Sequence, residues 1–234
     1  MRKHNELREV SIETNVNAYA EGSCLVKFGK THVLCTASVE EKVPSFLRNK
    51  GTGWITAEYN MLARSTHSRN SRDPMKPNGR NIEIQRLIGR SLRSAIDVKK
   101  LGERQIIIDC DVLQADGGTR CAAITGGYVA LALAVKKILA RNWIRHDPLI
   151  GAVCGVSCGI FNGETVLDLD YEKDSKCEVD CNFVLNQNFD LIEVQGTAEQ
   201  GAMSFAQVSQ MFDLAKKGAE KIFQIQKEAL LQFI

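Results

Sequence analysis

No run of uninterrupted apolar residues in this chain comes near the roughly 18 that a membrane span needs. The opening Met1-Arg2-Lys3-His4-Asn5-Glu6 runs into more charge instead of the apolar stretch of a signal segment. The expectation is a cytoplasmic protein with no membrane partner. Neither sign of charge dominates: 30 Lys and Arg stand against 28 Asp and Glu, a net of +2. That balance does not by itself announce a polyanionic partner, so the distribution of charge has to carry the argument. Histidine is scarce. His4, His32, His67 and His146 are scattered over a terminus, a strand, a loop and the end of a helix, and form no triad for serine-type hydrolysis. Linkers, low-complexity tracts and clear internal repeats are also missing. The 234 residues, 44% of them hydrophobic, therefore read as one unit over 1–234, built of two closely joined halves at about 10–142 and 150–234.

What is present begins with a local excess of cations. From Arg64 to Arg104 eleven basic residues face only Asp73, Glu83, Asp97 and Glu103. The segment reads either as a surface for a polyanion or as a solvated helix face with a polar loop. Residues 63–81, rich in Ser, Asn and Arg, cannot bury much and form a long polar loop.

Eight cysteines are the second conspicuous feature. Cys154 and Cys158, like Cys177 and Cys181, have three residues between them, a spacing seen in zinc sites. Alternation argues against zinc: in Cys154-Val156-Cys158-Ile160 and Cys177-Val179-Cys181-Phe183 the cysteines share a face with apolar residues, as small hydrophobes of a sheet core. Nothing marks the chain as a small disulfide scaffold.

Periodicity fills in the rest. Short alternating runs over residues 10–60 predict a β-rich first third, with Gly29-Lys30 suited to a hairpin. Leu87, Ile88, Leu92 and Ile96 predict a helix from about Ile82, with Gly102 as a stop. A strand over Gln105–Gln114 is followed by an apolar helix over Ala122–Ala140. Strands near 151–161, 165–171 and 176–185 follow, and an amphipathic helix from about Ser204 closes the chain. Strands followed by a helix occur twice, an α/β (α+β) pattern of pseudo-duplicated halves.

Two clusters carry chemistry. Asp116-Gly117-Gly118-Thr119-Arg120 joins a strand to a helix, where backbone N–H groups favour an anion and glycine permits close approach. Thr119 adds a hydroxyl and Arg120 a forked cation, but the lysine of a nucleotide P-loop is missing. An Asp-Gly turn with a Thr cap and a solvent-facing Arg remains open as the structural alternative. Further on, Asp168, Asp170, Glu172, Asp174, Glu178 and Asp180 crowd one strand-turn-strand region, with Glu178, Asp180 and Asn182 on one face. Such oxygens suit a hydrated Mg²⁺ shared with substrate phosphates, or simply the wet side of a hairpin.

Gly53-Trp54-Ile55-Thr56-Ala57-Glu58-Tyr59, Arg64-Ser65-Thr66-His67-Ser68-Arg69, Glu83-Ile84-Gln85-Arg86-Leu87-Ile88-Gly89-Arg90, the run Asp109 to Arg120 and Glu193-Val194-Gln195-Gly196-Thr197-Ala198-Glu199 together resemble the ribonuclease PH family of bacteria. The motifs are long, collinear and span nearly the whole chain. The resemblance implies a fold like domain 2 of ribosomal protein S5, used twice, in a homohexameric ring built as a trimer of dimers. It implies a phosphate-dependent 3′–5′ exoribonuclease that shortens RNA, chiefly the 3′ ends of tRNA precursors and also ribosomal RNA, by one nucleoside diphosphate at a time, the reverse reaction adding nucleotides. Residue by residue, it implies phosphate binding by Arg80, Gly118, Thr119 and Arg120, with Arg120 also catalytic. It implies metal binding or acid/base work by Asp174 and Asp180 with Mg²⁺ or Mn²⁺, and RNA contact by Arg64, Arg69 and Arg72. Two stretches depart from the family pattern, Lys76-Pro77-Asn78-Gly79 and Gln200-Gly201-Ala202-Met203.

Overall fold

Alternation of apolar and polar residues builds most of the strands. A computed structural model describes residues 2–71, 79–199 and 201–231. In the first half lie β1 (Val10–Thr14), β2 (Gly22–Phe28), β3 (Thr31–Glu40), β4 (Trp54–Met61) and β5 (Gln105–Gln114). They form one sheet in the order β1-β2-β3-β5-β4. Neighbours are antiparallel except β4 and β5. A parallel pair needs a crossover, and α1 (Gly79–Arg93) packs on β4 within it. Val33, Cys35 and Ala37 on β3 and Ile106, Ile108, Cys110 and Val112 on β5 share the buried face.

The second half has β6 (Val153–Phe161), β7 (Glu164–Leu167), β8 (Val179–Asn186) and β9 (Leu191–Ala198), an antiparallel sheet in the order β7-β6-β8-β9. Between the two sheets runs α2 (Thr119–Ala140), which touches β2 and β3 on one side and β6 on the other. Enclosure on both sides explains why α2 is apolar all round: Cys121 to Val135 are buried without exception. Among the described residues it is the one helix long and apolar enough to cross a membrane, and most of it is buried in the fold. Glycine permits the tight fit: a Cβ at Gly126 would sit 2.6 Å from Val26 Cγ1, and one at Gly155 2.7 Å from Cys121 Cα. A long helix, α4 (Phe205–Leu231), covers the other face of the second sheet, where the Phe183 and Phe212 rings meet at 5.7 Å. All eight cysteines are buried free thiols.

Several boundaries differ from the sequence expectation. The first helix starts at Gly79, ahead of Ile82, and stops at Arg93. Ile96 and Gly102 thus lie beyond it, and Gly102, at φ 64°, ends a separate 3-10 turn (Val98–Leu101) capped by Asp97. The strand expected over 165–171 ends at Leu167, because Asp170 caps a one-turn helix, α3 (Tyr171–Asp174), its side chain accepting from the Lys173 amide. Strand β9 has no counterpart in the sequence reading. Arg72 and residues 76–78 lie outside the described residues, as does Gln200.

Candidate active site

The turn between β5 and α2 needs glycine twice. Gly117 and Gly118 have φ of 74° and 67°, the left-handed region that Cβ-bearing residues avoid. Gly118 is the N-cap of α2 and, lacking a side chain, leaves the first-turn N–H groups without a capping bond. Thr119 is buried, and its Oγ1 meets the buried Tyr59 hydroxyl at 2.9 Å. Behind the turn, Thr31 Oγ1 donates to the Gly117 carbonyl at 2.7 Å and accepts from the Asp116 amide at 2.9 Å.

These elements line a cavity of about 570 Å³. Its walls include Gly117, Gly118, Thr119 and Arg120 from the turn, Arg80 from α1, and Asp174, Asp180, Asn182 and Glu199 from the second half. Residues a hundred positions apart in the chain are thus brought together. The meeting of halves is direct, with Cys121 Sγ 3.3 Å from Asn182 Oδ1. Sheet geometry supplies the acidic wall: Val179, Cys181 and Phe183 turn inward under α4, so Asp180 and Asn182 face the cavity.

Arg120 is held on its flank. Its Nη1 donates to Gln195 Oε1 at 2.8 Å and lies 3.6 Å from Glu83 Oε1. Gln195 is oriented in turn through Glu193, which also takes Arg90 in a 2.6 Å ion pair. Arg80 stands in the first turn of α1 and lines the cavity. A cation at the positive end of a helix adds to the positive potential there.

The carboxylates separate into two sets. Asp168 and Asp170 are consumed internally: Asp168 is paired with Arg8 at 2.7 Å and Arg2 at 3.0 Å, and Asp170 with Lys173 at 2.7 Å. Asp174 and Asp180 instead face the cavity. Burial, then the charge of Asp180, holds the Asp174 carboxyl above the usual carboxylate range, against the pull of Arg80, Arg120 and Arg8. Burial also raises Asp180, and Glu199 adds to it while Arg120 opposes. Among the described residues no group of three or more His, Cys, Asp and Glu is gathered to enclose a metal. Two mutually repelling carboxylates on an open wall fit a cation that keeps its waters and shares substrate phosphates, as Mg²⁺ does.

Arg64 and Arg69 are exposed and are not cavity walls, although Thr66, His67, Ser68 and Asn70 of the same loop are. The expectation for Arg72 falls outside the described residues. Sequence reasoning passed over Arg8 and the supporting role of Gln195, whose only sequence signal was membership of a motif run.

Comparison with known proteins bears on this geometry. Residues 6–137 match the model of the 3′ exoribonuclease family, domain 1, and residues 151–218 that of its domain 2. A ribonuclease PH of Caulobacter vibrioides is 55% identical over 231 residues, covering 98% of this chain and 97% of that protein. One of Cereibacter sphaeroides is 57% identical over 231 residues, covering 98% of each. Among solved structures, rice Rrp46 has a TM-score of 0.80 at 17% identity, covering 98% of both chains. A chain of an archaeal exosome core has a TM-score of 0.77 at 20% identity, covering 97% of this chain and 89% of its own. The mixed α/β fold, with two sheets and four α-helices among the described residues, is therefore that of ribonuclease PH-like exosome subunits.

Proposed function

The chain belongs to the 3′ exoribonuclease family, and from that premise we propose that it is a phosphorolytic 3′–5′ exoribonuclease. Inorganic phosphate attacks the last phosphodiester of an RNA, the bond to the preceding 3′ oxygen breaks, and a nucleoside diphosphate leaves. The reverse reaction adds a nucleotide. The observation that carries this reading is the meeting of Arg80, the uncapped turn Gly118–Arg120, and Asp174 with Asp180 around one cavity.

Phosphorolysis must hold two anions side by side, and that is where the protein acts. Arg80, Arg120, the α2 amides and the Thr119 hydroxyl hold the attacking phosphate. Asp174 and Asp180 would hold Mg²⁺ or Mn²⁺, and the chemistry such a cation would supply is neutralisation of phosphate charge. The departing 3′ oxygen takes up the proton that hydrogenphosphate loses as it becomes the β-phosphate of the product, so carboxylates engaged with a cation need not supply it. No covalent nucleophile from the protein is required. Arg64, Arg69 and Arg72 contact RNA through its phosphates, without reading sequence. The substrates are the 3′ ends of tRNA precursors in the cytoplasm, and the working assembly is a homohexamer. Support comes from the 55–57% identity to bacterial ribonucleases PH over nearly the whole chain.

The test is a 3′-labelled RNA incubated with the protein and Mg²⁺, with and without inorganic phosphate. Labelled nucleoside diphosphate appearing only with phosphate is the expected result. Monophosphate released without phosphate would mean metal-dependent hydrolysis, and no product would mean a silent RNA-binding subunit.

A further inference from the structure

Arg8 lies outside the cavity wall, yet its side chain is only 8% exposed and touches both halves of the site. On one side Nη1 donates to the Asp116 carbonyl and Nη2 approaches the Gly117 carbonyl at 3.4 Å. On the other, Nε donates to Asp168 Oδ2 at 3.0 Å, Nη2 to Asp168 Oδ1 at 2.7 Å, and the backbone amide to Oδ2 at 2.8 Å. Nη2 also lies 3.4 Å from the Leu169 carbonyl.

We propose that Arg8 is a positioning residue that sets the phosphate-binding turn in register with the acidic half of the active site, an inference that rests on the phosphorolytic reading.

Peptide geometry gives the first reason. In a trans peptide the C=O and the following N–H point opposite ways. Drawing the Asp116 and Gly117 carbonyls onto Arg8 therefore turns the Gly117 and Gly118 amides away from Arg8 and keeps two carbonyl dipoles from facing a bound anion. Thr31 assists by donating to the same Gly117 carbonyl.

Connectivity gives the second. Asp168 is 2% exposed and stands at φ 57°, a left-handed conformation kept by its surroundings. Its amide donates to the Ser157 carbonyl at 2.7 Å, and the Leu169 amide to Ser157 Oγ at 3.2 Å. Two residues on, Asp170 caps the one-turn helix that ends in Asp174. Whatever fixes Asp168 fixes the base of Asp174. Steric contact closes the frame, since a Cβ at Gly117 would lie 2.6 Å from the Leu169 carbonyl oxygen.

Electrostatics gives the third. A buried ion pair contributes little net stability against an apolar replacement, and its better-attested use is to specify one arrangement. The planar five-donor fork of arginine can span the turn carbonyls and a bidentate carboxylate at once, whereas lysine cannot. Arg2 serves as the internal comparison: it braces Asp168 and Asp170 at 3.0 and 3.3 Å, and no bond joins it to the turn.

The experiment compares the full-length wild type with Arg8→Gln, Arg8→Lys and Arg2→Ala, reading inorganic phosphate affinity by isothermal titration and KM for phosphate and kcat with a generic RNA. The expected result is that both Arg8 variants, folded by near-UV dichroism, bind phosphate about tenfold more weakly and lose kcat by at least as much. Arg2→Ala, which loosens only the acidic side, keeps phosphate affinity within about twofold, although its kcat and melting temperature fall. Arg8→Lys, which retains the charge, covers the case in which Arg8→Gln does not fold. Wild-type phosphate affinity in Arg8→Lys, or an equal loss of phosphate affinity in Arg2→Ala, overturns the inference and leaves the phosphorolytic reading standing. A wild type that neither binds nor requires phosphate overturns both.

Discussion

Arg120 Nη1 donates to Gln195 Oε1 at 2.8 Å, while Glu83, the carboxylate beside it, stays at 3.6 Å. A neutral partner orients the guanidinium without cancelling its charge, which suits a cation meant for an exchangeable anion. Glu83 is half exposed, so solvent screens its competing pull.

Substitutions at Arg120 and Gln195 separate charge from orientation. Arg120→Ala is expected to abolish phosphorolysis with little loss of folding. Gln195→Ala should raise KM for phosphate about three- to tenfold, and Gln195→Glu should raise it more, since the new carboxylate would pin and neutralise Arg120. Steady-state kinetics with phosphate as the varied substrate reads the order. A Gln195→Glu variant with wild-type KM would contradict the proposed role of Arg120.

Asp180→Asn is expected to trade activity for stability. Burial and the neighbouring Glu199 hold the Asp180 pKa above its unfolded value, so the native state binds the extra proton. The ionised form then costs stability at neutral pH, and the cost disappears as pH falls through the raised pKa. Without Mg²⁺ the variant should melt about 1–3 °C higher than wild type at pH 7, with the difference closing below about pH 4. Phosphorolysis should fall about a hundredfold or more. Adding Mg²⁺ should raise the wild-type melting temperature and leave the variant's unchanged, so equal responses would argue against a metal at this carboxylate.

Gly117→Ala should cost far more than an alanine at another left-handed glycine. Gly163 has the same φ of 74° but nothing within 4 Å of its would-be Cβ, whereas at Gly117 the Leu169 oxygen lies at 2.6 Å. Urea unfolding should show a loss of about 1 kcal/mol at Gly163 and about 2–4 kcal/mol at Gly117. Similar losses would mean that the turn does not rest on the 169–171 segment as described.

The thiols should be inert in the native state. Burial pushes Cys121 up to about 12 and Cys177 and Cys181 up to about 11, far from the thiolate form at neutral pH. A thiol reagent should label none of the eight until the protein unfolds, and a zinc chelator should leave the melting temperature unchanged. Fast labelling of Cys154 or Cys158 would contradict their place in the core.

Much of this was legible in the chain. Alternation gave the inward face of Cys177, Val179, Cys181 and Phe183, and with it the outward Asp180; unbroken apolarity gave the enclosure of α2. The start of α1 was hidden because its first turn, Gly79 to Ile82, buries nothing, so the period becomes visible only at Ile84. Strand β9 was hidden for a related reason: it mixes exposed and half-buried residues without regular alternation and has no fully buried face. The acidic run could not be sorted from residues alone. Asp168 differs from Asp174 only through partners some 160 residues away, Arg2 and Arg8, and no local pattern reports those.

The central claim, that inorganic phosphate is the attacking group, is tested most directly by following its atoms. Radiolabelled inorganic phosphate is supplied with unlabelled RNA and Mg²⁺, and the released nucleotides are separated. The account predicts label in nucleoside diphosphate, confined to the β-phosphate. Unlabelled monophosphate, with all the label remaining as inorganic phosphate, would contradict it.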